Sequence, residues 1–436
     1  MILANRFSYP PGFEEKCKAI LDMALEHVPA YKGWKRFDKG PQAPTDERFD
    51  SLPVLTKADV RANFPLGLIP DWMDLDEGLW NEDISYTYTS GTTSEKVVNI
   101  WNQDWWDRSE AASWRLNSRM IELECPPKVA KLASSLNVGI NCEEDLPMSH
   151  RILGNILYLN EKTSVLQWRP RLLLRMADEL VEYRPDIIEA NPTLLAKLLY
   201  WSLDNGVEMY SPKAIVFTFE FPSAIHLAAF RKSFSSALVS SYGTTETGFV
   251  MEQCECDRMH QNTEFCRIDF VPLKEKYGGP EIGRIYVTTF DNPWNCIIRF
   301  DVGDLIKLHP SGKCECGRSG GMIADSVEGR VSNVTFTTNG GLVTTKSLDD
   351  HIAEINAVRD YRLEQRDRTN YLLEAVLSQE ADRKAATEEI RSVLKKVYGS
   401  DGKFEIKILE EIFPGPAGKY RRTQANFEFD ENELFI

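Results

Sequence analysis

Short apolar runs in the middle of the chain alternate with segments of helical period. Residues 186–190, 214–219 and 237–241 are typical of buried strands. Between them, Asn191-Pro192 supplies a capping side chain and a proline for a helix start, and residues 225–234 predict a second helix. Strands separated by helices indicate βαβ units and a largely parallel sheet. Ligands of such sheets bind beyond the carboxyl ends of the strands.

The two ends of the chain have other patterns. Residues 1–80 predict helices and loops, with an amphipathic helix from Phe13 to Val28. Near the other end, residues 361–378 predict a β-hairpin, residues 380–398 a helix and residues 404–409 a strand. The pattern predicts an α/β chain with a further, smaller α+β part.

The length of 436 residues suits two or three domains. We place the boundary at a Gly-Arg pair, which gives a large domain over residues 1–328 and a small one over residues 329–436. The apolar fraction of 42% and charged fraction of 27% are ordinary for a globular protein and argue against extensive disorder.

The charge balance narrows the class of partner. The formal net charge is −15, whereas proteins that bind nucleic acid usually carry a positively charged surface that neutralises phosphates. We therefore expect no nucleic-acid partner. The sequence has no run of about 18 apolar residues, so we expect no membrane span. Prolines follow the first residues too soon for a secretory signal, and a cytoplasmic location is therefore expected.

Cysteines gather in one region of the sequence. Two short knuckles, residues 254–260 and 314–318, carry thiols and one imidazole, which are donors that suit tetrahedral zinc. The predicted ligands are Cys254, His260, Cys314 and Cys316. Cys256 is the alternative to Cys254, and the competing interpretation is a chance grouping of reduced thiols. Four protein ligands leave no open position, so such a site is structural.

Five further motifs carry candidate chemistry. Residues 87–94 form a hydroxyl-rich loop around a glycine that can wrap phosphate oxygens. Residues 240–246 follow an apolar strand with a ring, hydroxyls and a carboxylate. Residues 299–304 end in a Gly-Asp turn, residues 328–330 in Gly-Arg, and residues 415–419 in Gly-Lys. Each motif taken alone is also compatible with an ordinary turn.

The order of these motifs resembles the adenylate-forming superfamily, which includes acyl-CoA synthetases, carrier-protein adenylation domains and luciferases. The resemblance runs from Thr87 to Lys419, and the cysteine knuckles and short N-terminal region look like its phenylacetate-CoA ligase branch. It implies a large N-terminal α/β domain with parallel or mixed sheets flanked by helices. It also implies a small mobile α+β C-terminal domain that carries the catalytic lysine.

The resemblance also implies a role for each matching residue. The loop that holds the β- and γ-phosphates of ATP would comprise Thr89, Ser90, Gly91, Thr92 and Thr93. The nucleotide would further be held by Tyr242 beside adenine, Gly243 and Thr244 in the same turn, Asp304 at the ribose with Arg330, and Glu220 in the adenine-side turn.

The catalytic roles would fall to three residues. Thr245 would touch the α-phosphate, Glu246 would bind Mg²⁺, and Lys419 would bridge the attacking carboxylate and the α-phosphate. A lysine suits that step because negative charge concentrates there as pyrophosphate leaves.

Three positions depart from the family pattern. Ser94-Glu95-Lys96-Val97 replaces the usual glycine and proline of the phosphate loop. Phe219 stands where a small residue usually precedes the glutamate, and Ser332 stands at the expected hinge. The first change concerns the phosphate loop. The second implies either that the acyl pocket is reshaped or that Phe219 points elsewhere, and the third concerns how the small domain rotates.

The resemblance implies an ATP-dependent acid:thiol ligase. It would activate a carboxylic acid, aryl or arylacetic by resemblance, as acyl-AMP and pass it to coenzyme A, with Mg²⁺ and a structural zinc ion as cofactors. One alternative is transfer to a carrier protein or an amine. The other is a degenerate member that binds nucleotide without turnover. The sequence leaves the oligomeric state open.

Overall fold

The computed structural model describes residues 6–88, 98–123, 126–142, 144–415 and 418–436. The helices in this part of the chain are α1 Phe13–His27, α2 Thr45–Ser51, α3 Lys57–Asn63, α4 Leu75–Trp80, α5 Gln103–Trp114, α6 Ser118–Ile121, α7 Ser135–Val138, α8 Pro170–Tyr183, α9 Pro192–Asn205, α10 Ala224–Ser233, α11 Thr345–Ile352 and α12 Arg383–Tyr398.

The strands are β1 Ser85–Tyr88, β2 Val98–Trp101, β3 Val129–Leu132, β4 Ile152–Leu153, β5 Ile156–Tyr158, β6 Ile187–Ala190, β7 Ala214–Phe217, β8 Ala237–Thr244, β9 Gly248–Gln253, β10 Met259–Gln261, β11 Cys266–Pro272, β12 Ile282–Thr289, β13 Phe300–Leu308, β14 Ile323–Arg330, β15 Thr335–Phe336, β16 Leu342–Val343, β17 Val358–Gln365, β18 Asn370–Leu377, β19 Lys403–Leu409 and β20 Thr423–Ala425.

The chain divides into two compact units, each built from separated segments. The first comprises Met1–Ile121, Ser241–Pro272 and Glu281–Ser326, and the second comprises Glu122–Ser240, Leu273–Pro280 and Val327–Ile436. Strand β8 contributes its first four residues to the second unit and its last four to the first. The predicted boundary at residue 328 stays a prediction.

The first unit is built around an antiparallel sheet. Its strands follow the order β11-β12-β13-β14-β10-β9-β8, and β1 and β2 form a separate antiparallel pair. Buried Tyr31 ties the N-terminal segment to the connection between β12 and β13, because its hydroxyl donates to the carbonyl of Cys296 at 2.9 Å and accepts the amide of Ile298 at 3.1 Å. Antiparallel strands need only short connections, and β8 through β10 follow one another in the chain.

The second unit contains the parallel sheet that the sequence predicts. Strands β5, β3, β6, β7 and β8 run parallel in that order, and β4 joins β5 as an antiparallel edge. Every residue of β6 and β7 is buried, as expected for parallel strands that are covered by helices. Apolar side chains of α8, α9 and α10 pack in the same core as these strands.

The second unit also holds a small C-terminal sheet. Its order is β19-β18-β17-β20, with β17 and β18 as the predicted hairpin and α12 packed on β19. Ile225, at the start of α10, is part of the same buried cluster as this sheet, which joins the C-terminal segment to the parallel sheet's helices.

The α/β prediction is confirmed, with sheets of both kinds. One helix begins at Phe13 as predicted, and two others begin one and three residues after the predicted starts at Asn191 and Glu380. Among the described residues, no helix has both the length and the apolar character needed to cross a bilayer.

Candidate functional site

Polar side chains collect at the carboxyl ends of the parallel strands in the second unit. After β6, the Asn191 side chain accepts hydrogen bonds from the amides of Thr193 and Leu194 and so caps α9. After β7, Phe219 has a φ of 72°, a left-handed conformation that costs a bulky residue free energy. This strained turn presents the next residue, Glu220.

The Gly-Lys loop lies against the same strand ends. The amide of Gly415 donates to the carbonyl of Lys419 at 2.9 Å, and Gly418 has a φ of 74°. A Cβ at Gly418 would lie 3.4 Å from the hydroxyl of Ser134, which follows β3. The amide of Tyr420 donates to Glu220 at 2.9 Å. The structure therefore places the predicted catalytic lysine beside a residue predicted for the nucleotide site.

The Glu220 carboxyl has an unusual acidity. Burial raises its pKa to about 7, while the Tyr420 amide and the positive charges of Lys419 and Arg422 act in the opposite direction. The carboxyl therefore gains or loses its negative charge near neutral pH. The positive charge of Lys419 interacts with that negative charge.

The first unit brings together two other predicted residues. The hydroxyl of Tyr242, near the end of β8, donates to the carboxylate of Asp304 on β13 at 2.8 Å. Gly303 precedes that carboxylate with a φ of 78°, and its amide donates to Asp301 at 2.9 Å. The pair joins an aromatic ring, which can stack on a base, and a carboxylate, which can accept hydrogen bonds from ribose hydroxyls.

The turn between β8 and β9 carries the remaining residues of this motif. The hydroxyls of Thr244 and Thr247 hydrogen bond at 2.9 Å, and Thr245 is partly exposed. Glu246 is buried, and its Oε1 has no hydrogen-bond partner among the residues that the structure describes. A buried carboxylate oxygen without a partner is costly unless a cation satisfies it, so Glu246 fits the predicted Mg²⁺ ligand.

Glycine is required on both sides of this turn. A Cβ at Gly243 would lie 2.1 Å from the carbonyl oxygen of Gly248, and one at Gly248 would lie 2.7 Å from the Trp105 ring. The close approach of the two strands therefore excludes a side chain at the predicted nucleotide residue Gly243.

The predicted phosphate loop and the Gly-Arg pair remain to be placed. Thr89, Ser90, Gly91, Thr92 and Thr93 lie outside the described residues. Arg330 ends β14 in the second unit, one residue after Gly329, whose φ is 99°. The preceding carboxylate, Glu328, accepts a hydrogen bond from the hydroxyl of Thr344 at 2.6 Å.

The two cysteine knuckles meet in the first unit. The ligand atoms of Cys254, His260, Cys314 and Cys316 lie within 4.8 Å of one another. The sulfurs of Cys254 and Cys314 are 3.8 Å apart, and His260 Nε2 is 3.4 Å from the Cys316 sulfur. The alternative ligand, Cys256, is outside this group and instead donates its amide to the Cys254 sulfur at 3.4 Å.

The chemistry of the cluster fits zinc. Burial lowers the pKa of His260 to about 4, so its imidazole is neutral and able to donate a lone pair. Burial also raises the pKa of Cys314 to about 12, as expected when sulfurs crowd together without a cation. A divalent cation would reverse that effect and bind the thiolates.

Sequence reasoning missed a buried polar cluster near Lys419. Arg422, His226 and Asp360 contact one another in the second unit, and Asp349 lies close enough to influence the Arg422 charge. Arg422 is three residues from Lys419, but its partners are about 60 and 200 residues away in the chain. No local pattern indicates contacts of that range.

Comparisons with known proteins agree with the fold. Residues 335–426 match a family model described as the CapK C-terminal domain. The protein CapK of Staphylococcus aureus is 22% identical over 246 residues, which are 56% of this chain and 53% of that protein. The match therefore spans about half the length of this curated relative.

Solved structures match over more of the chain. A 2-hydroxyisobutyryl-CoA ligase in the postadenylation state, in complex with R3-HIB-AMP, has a TM-score of 0.70 at 16% identity, with 98% of this chain and 92% of that chain covered. The anthranilate CoA ligase AuaEII, with anthranoyl-AMP, has a TM-score of 0.55 at 14% identity and covers 78% and 66%.

The amide bond synthetase McbA from Marinactinospora thermotolerans has a TM-score of 0.51 at 15% identity and covers 78% of this chain and 67% of that chain. At these identities the likeness concerns the fold, and the phenylacetate-CoA ligase branch stays a prediction. The resemblance seen in the sequence is confirmed at that level, and the chain has the fold of the adenylate-forming ligases.

Proposed function

We propose that the protein is an AMP-forming ligase that activates a carboxylic acid with ATP and then transfers the acyl group to coenzyme A. The observation that carries the proposal is the hydrogen bond from the Tyr420 amide to Glu220, which holds the Gly-Lys loop at the carboxyl ends of parallel strands. That edge is where ligands bind in such sheets, and a lysine there meets developing phosphate charge.

The first step would join the acid to the nucleotide. A carboxylate oxygen attacks the α-phosphorus of ATP, the bond to the bridging oxygen breaks, and pyrophosphate leaves. Lys419 would neutralise charge on the carboxylate and the α-phosphate, and Thr245 would donate to the same phosphate. These groups stabilise the transition state because they are in place before the charge develops.

Further residues would orient the nucleotide. Tyr242 would stack on adenine while its hydroxyl fixes the Asp304 carboxylate, at 2.8 Å, for the ribose hydroxyls. Arg330 and Glu220 are further proposed contacts. When bound at Glu246, Mg²⁺ would supply charge neutralisation for the phosphates.

In the second step a thiol sulfur attacks the acyl carbon and AMP leaves. Coenzyme A is the proposed acceptor. The 2-hydroxyisobutyryl-CoA ligase and the anthranilate CoA ligase support this choice by their names and folds. The amide bond synthetase shares the fold, so an amine is a second candidate acceptor. The net charge of −15 is unfavourable for docking on an acidic carrier protein.

The acid is proposed to be an aryl or arylacetic acid. One structural neighbour is named for anthranilate and another for 2-hydroxyisobutyrate, so the fold accommodates both aromatic and short branched acids in those proteins. A test panel must therefore contain both classes. The zinc ion is proposed to be structural, because all four ligands come from the protein.

The deciding experiment measures acid-dependent pyrophosphate release from ATP and Mg²⁺. We expect release with a subset of the panel, faster turnover with coenzyme A, and a loss of about 100-fold or more in Lys419→Ala. Lys396→Ala, an exposed lysine on α12, is the matched control and should keep its rate. ATP binding without release under any of these conditions would instead support a degenerate nucleotide-binding protein.

A further inference from the structure

A buried arginine adjoins the Gly-Lys loop without a role in the chemistry above. Arg422 lies three residues after Lys419, directly before β20, and is 6% exposed. Its guanidinium donates to the carboxylate of Asp360 at 2.6 Å, and its carbonyl accepts the amide of Leu363 at 2.8 Å. Both partners belong to β17, so Arg422 is anchored in the C-terminal sheet.

The same guanidinium reaches the helices of the parallel sheet. Its Nη2 lies 3.4 Å from the hydroxyl of Thr193, at the start of α9, and 3.3 Å from Nδ1 of His226 on α10. Burial and the Arg422 charge lower the pKa of His226 to about 3. The imidazole is therefore neutral and accepts the hydrogen bond, as it must because an arginine has donors alone.

Together with the contact at Glu220, these hydrogen bonds hold the segment that follows Lys419. The Thr193 hydroxyl is also 3.5 Å from Glu220, and Glu220 accepts the amide of Tyr420. The chain that follows Lys419 is thus held at two points, the backbone of Tyr420 and the side chain of Arg422. A lysine has a long flexible stem, so its amine is directed at a reacting atom only when its backbone is fixed.

We propose that Arg422 is a positioning residue that, through Thr193 and His226, holds the Lys419 loop at the carboxyl edge of the parallel strands and thereby sets the rate of adenylation. The effect on rate rests on the proposed function. The effect on the loop is a property of the folded chain and is measured without any substrate.

The first measurement is hydrogen exchange of the backbone amides in residues 418–425. Arg422→Gln should speed exchange there about 10-fold or more, and Thr193→Ala should speed it by a smaller factor. Arg359→Gln is the matched control. Arg359 on β17 also joins the C-terminal sheet to α9, through a bidentate ion pair with Asp204 at 2.6 and 2.7 Å, but does not contact the Lys419 loop in these hydrogen bonds. It should leave exchange in residues 418–425 within twofold.

Thr193→Ala keeps the inference testable if Arg422→Gln does not fold, since it leaves the Arg422–Asp360 ion pair in place. Unchanged exchange in every folded variant of these two would overturn the proposal. Equal acceleration in Arg359→Gln would also overturn it, because the effect would then come from general loosening of the C-terminal sheet.

The second measurement is pyrophosphate release by the same variants. Arg422→Gln should lower kcat by about 10- to 100-fold and leave KM for ATP and acid within twofold, because a misplaced catalytic group costs rate and not binding. In a Lys419→Ala background the Arg422→Gln change should have no further effect. Additive losses would show that Arg422 acts independently of Lys419.

The two measurements separate the two proposals. Accelerated exchange in a protein whose wild type releases no pyrophosphate with any acid would contradict the proposed function and support the positioning role on the loop. Pyrophosphate release that is normal in Arg422→Gln, together with unchanged exchange, would contradict the positioning role and support the function.

Discussion

The most informative single residue is Glu220, because its charge is coupled to the loop that carries Lys419. Its pKa is raised from 4.5 to about 7, so the folded state binds a proton more tightly than the unfolded state does. Stability from this group is therefore fully present below pH 4.5 and is lost as the pH rises toward 7, by up to about 3 kcal/mol.

Glu220→Gln should remove this pH dependence. Denaturant unfolding at several pH values between 4 and 8 measures the effect, and the variant should gain up to about 3 kcal/mol relative to wild type across that window. Glutamine keeps an oxygen to accept the Tyr420 amide, so the comparison isolates the titration. A constant difference between the two proteins from pH 4 to 8 would contradict the raised pKa.

Phe219 provides a second prediction at the scale of a residue. Its φ of 72° favours glycine, so Phe219→Gly should be more stable than Phe219→Ala by about 1 kcal/mol. Chemical denaturation measures the difference. At Leu227, inside α10, the same pair should have the opposite order, since glycine weakens a helix by about 1 kcal/mol relative to alanine. The same order at both positions would rule out backbone strain at Phe219.

For single residues, the sequence indicated which side chains carry the chemistry better than it indicated which residues they contact. The zinc donors could be proposed because thiols and an imidazole stand in two compact knuckles, although the choice between Cys254 and Cys256 needed the fold. The contacts of Arg422 could not be proposed, because the partners come from β17, α9 and α10, and pairing over such distances leaves no periodic trace.

Among the helices and strands, the contact between α10 and α11 gives the most specific prediction. The carboxylate of Asp349 on α11 accepts the amide of Ala224 at 2.6 Å and the hydroxyl of Ser223 at 2.7 Å, at the first turn of α10. Asp349 is fully buried, and burial raises the pKa of its carboxyl. The negative charge at a helix N-terminus links the C-terminal segment to the helix that follows β7.

Asp349→Ala should lower the free energy of unfolding by about 2–3 kcal/mol, because it leaves the buried Ser223 hydroxyl and the half-buried Ala224 amide without their acceptor. Asp382→Ala is the control, since Asp382 also accepts two hydrogen bonds at a helix N-terminus, as the N-cap of α12, but is exposed, and its loss should cost about 1 kcal/mol. Urea denaturation of both variants tests the prediction, and equal losses would show that burial of the cap is unimportant.

Elements were predictable where the local pattern was strong. The hairpin of β17 and β18 and the helices α1, α9, α10 and α12 follow alternation, caps and helical period in the sequence. The antiparallel strands β9 to β14 were not assigned; β9 and β12, for example, are buried at nearly every position and so lack the alternation that marks a half-buried strand. Charged residues inside the parallel sheet also hide strands, as with Lys131 of β3, which pairs with Glu189 of β6 at 2.8 Å.

For the molecule as a whole, the cysteine cluster connects segments that are about 60 residues apart in the first unit. An ion bound there closes a long loop and stabilises the folded state by binding free energy that the unfolded chain lacks. Its loss should therefore appear as a change in global stability, and a catalytic change would follow only from unfolding.

Cys316→Ala should lower the zinc-to-protein ratio and the Tm together, with a Tm decrease of about 5–10 °C. Cys256→Ala is the matched control, because this thiol lies in the other knuckle, two residues from the ligand Cys254 but outside the cluster, and it should keep both values. Metal analysis beside calorimetry makes the comparison. An unchanged ratio in Cys316→Ala would remove that residue from the ligand set, and zinc loss in Cys256→Ala would return Cys256 to it. Chelation of wild type should reproduce the Cys316→Ala stability and leave the stability of that variant unchanged, since the two treatments remove the same ion.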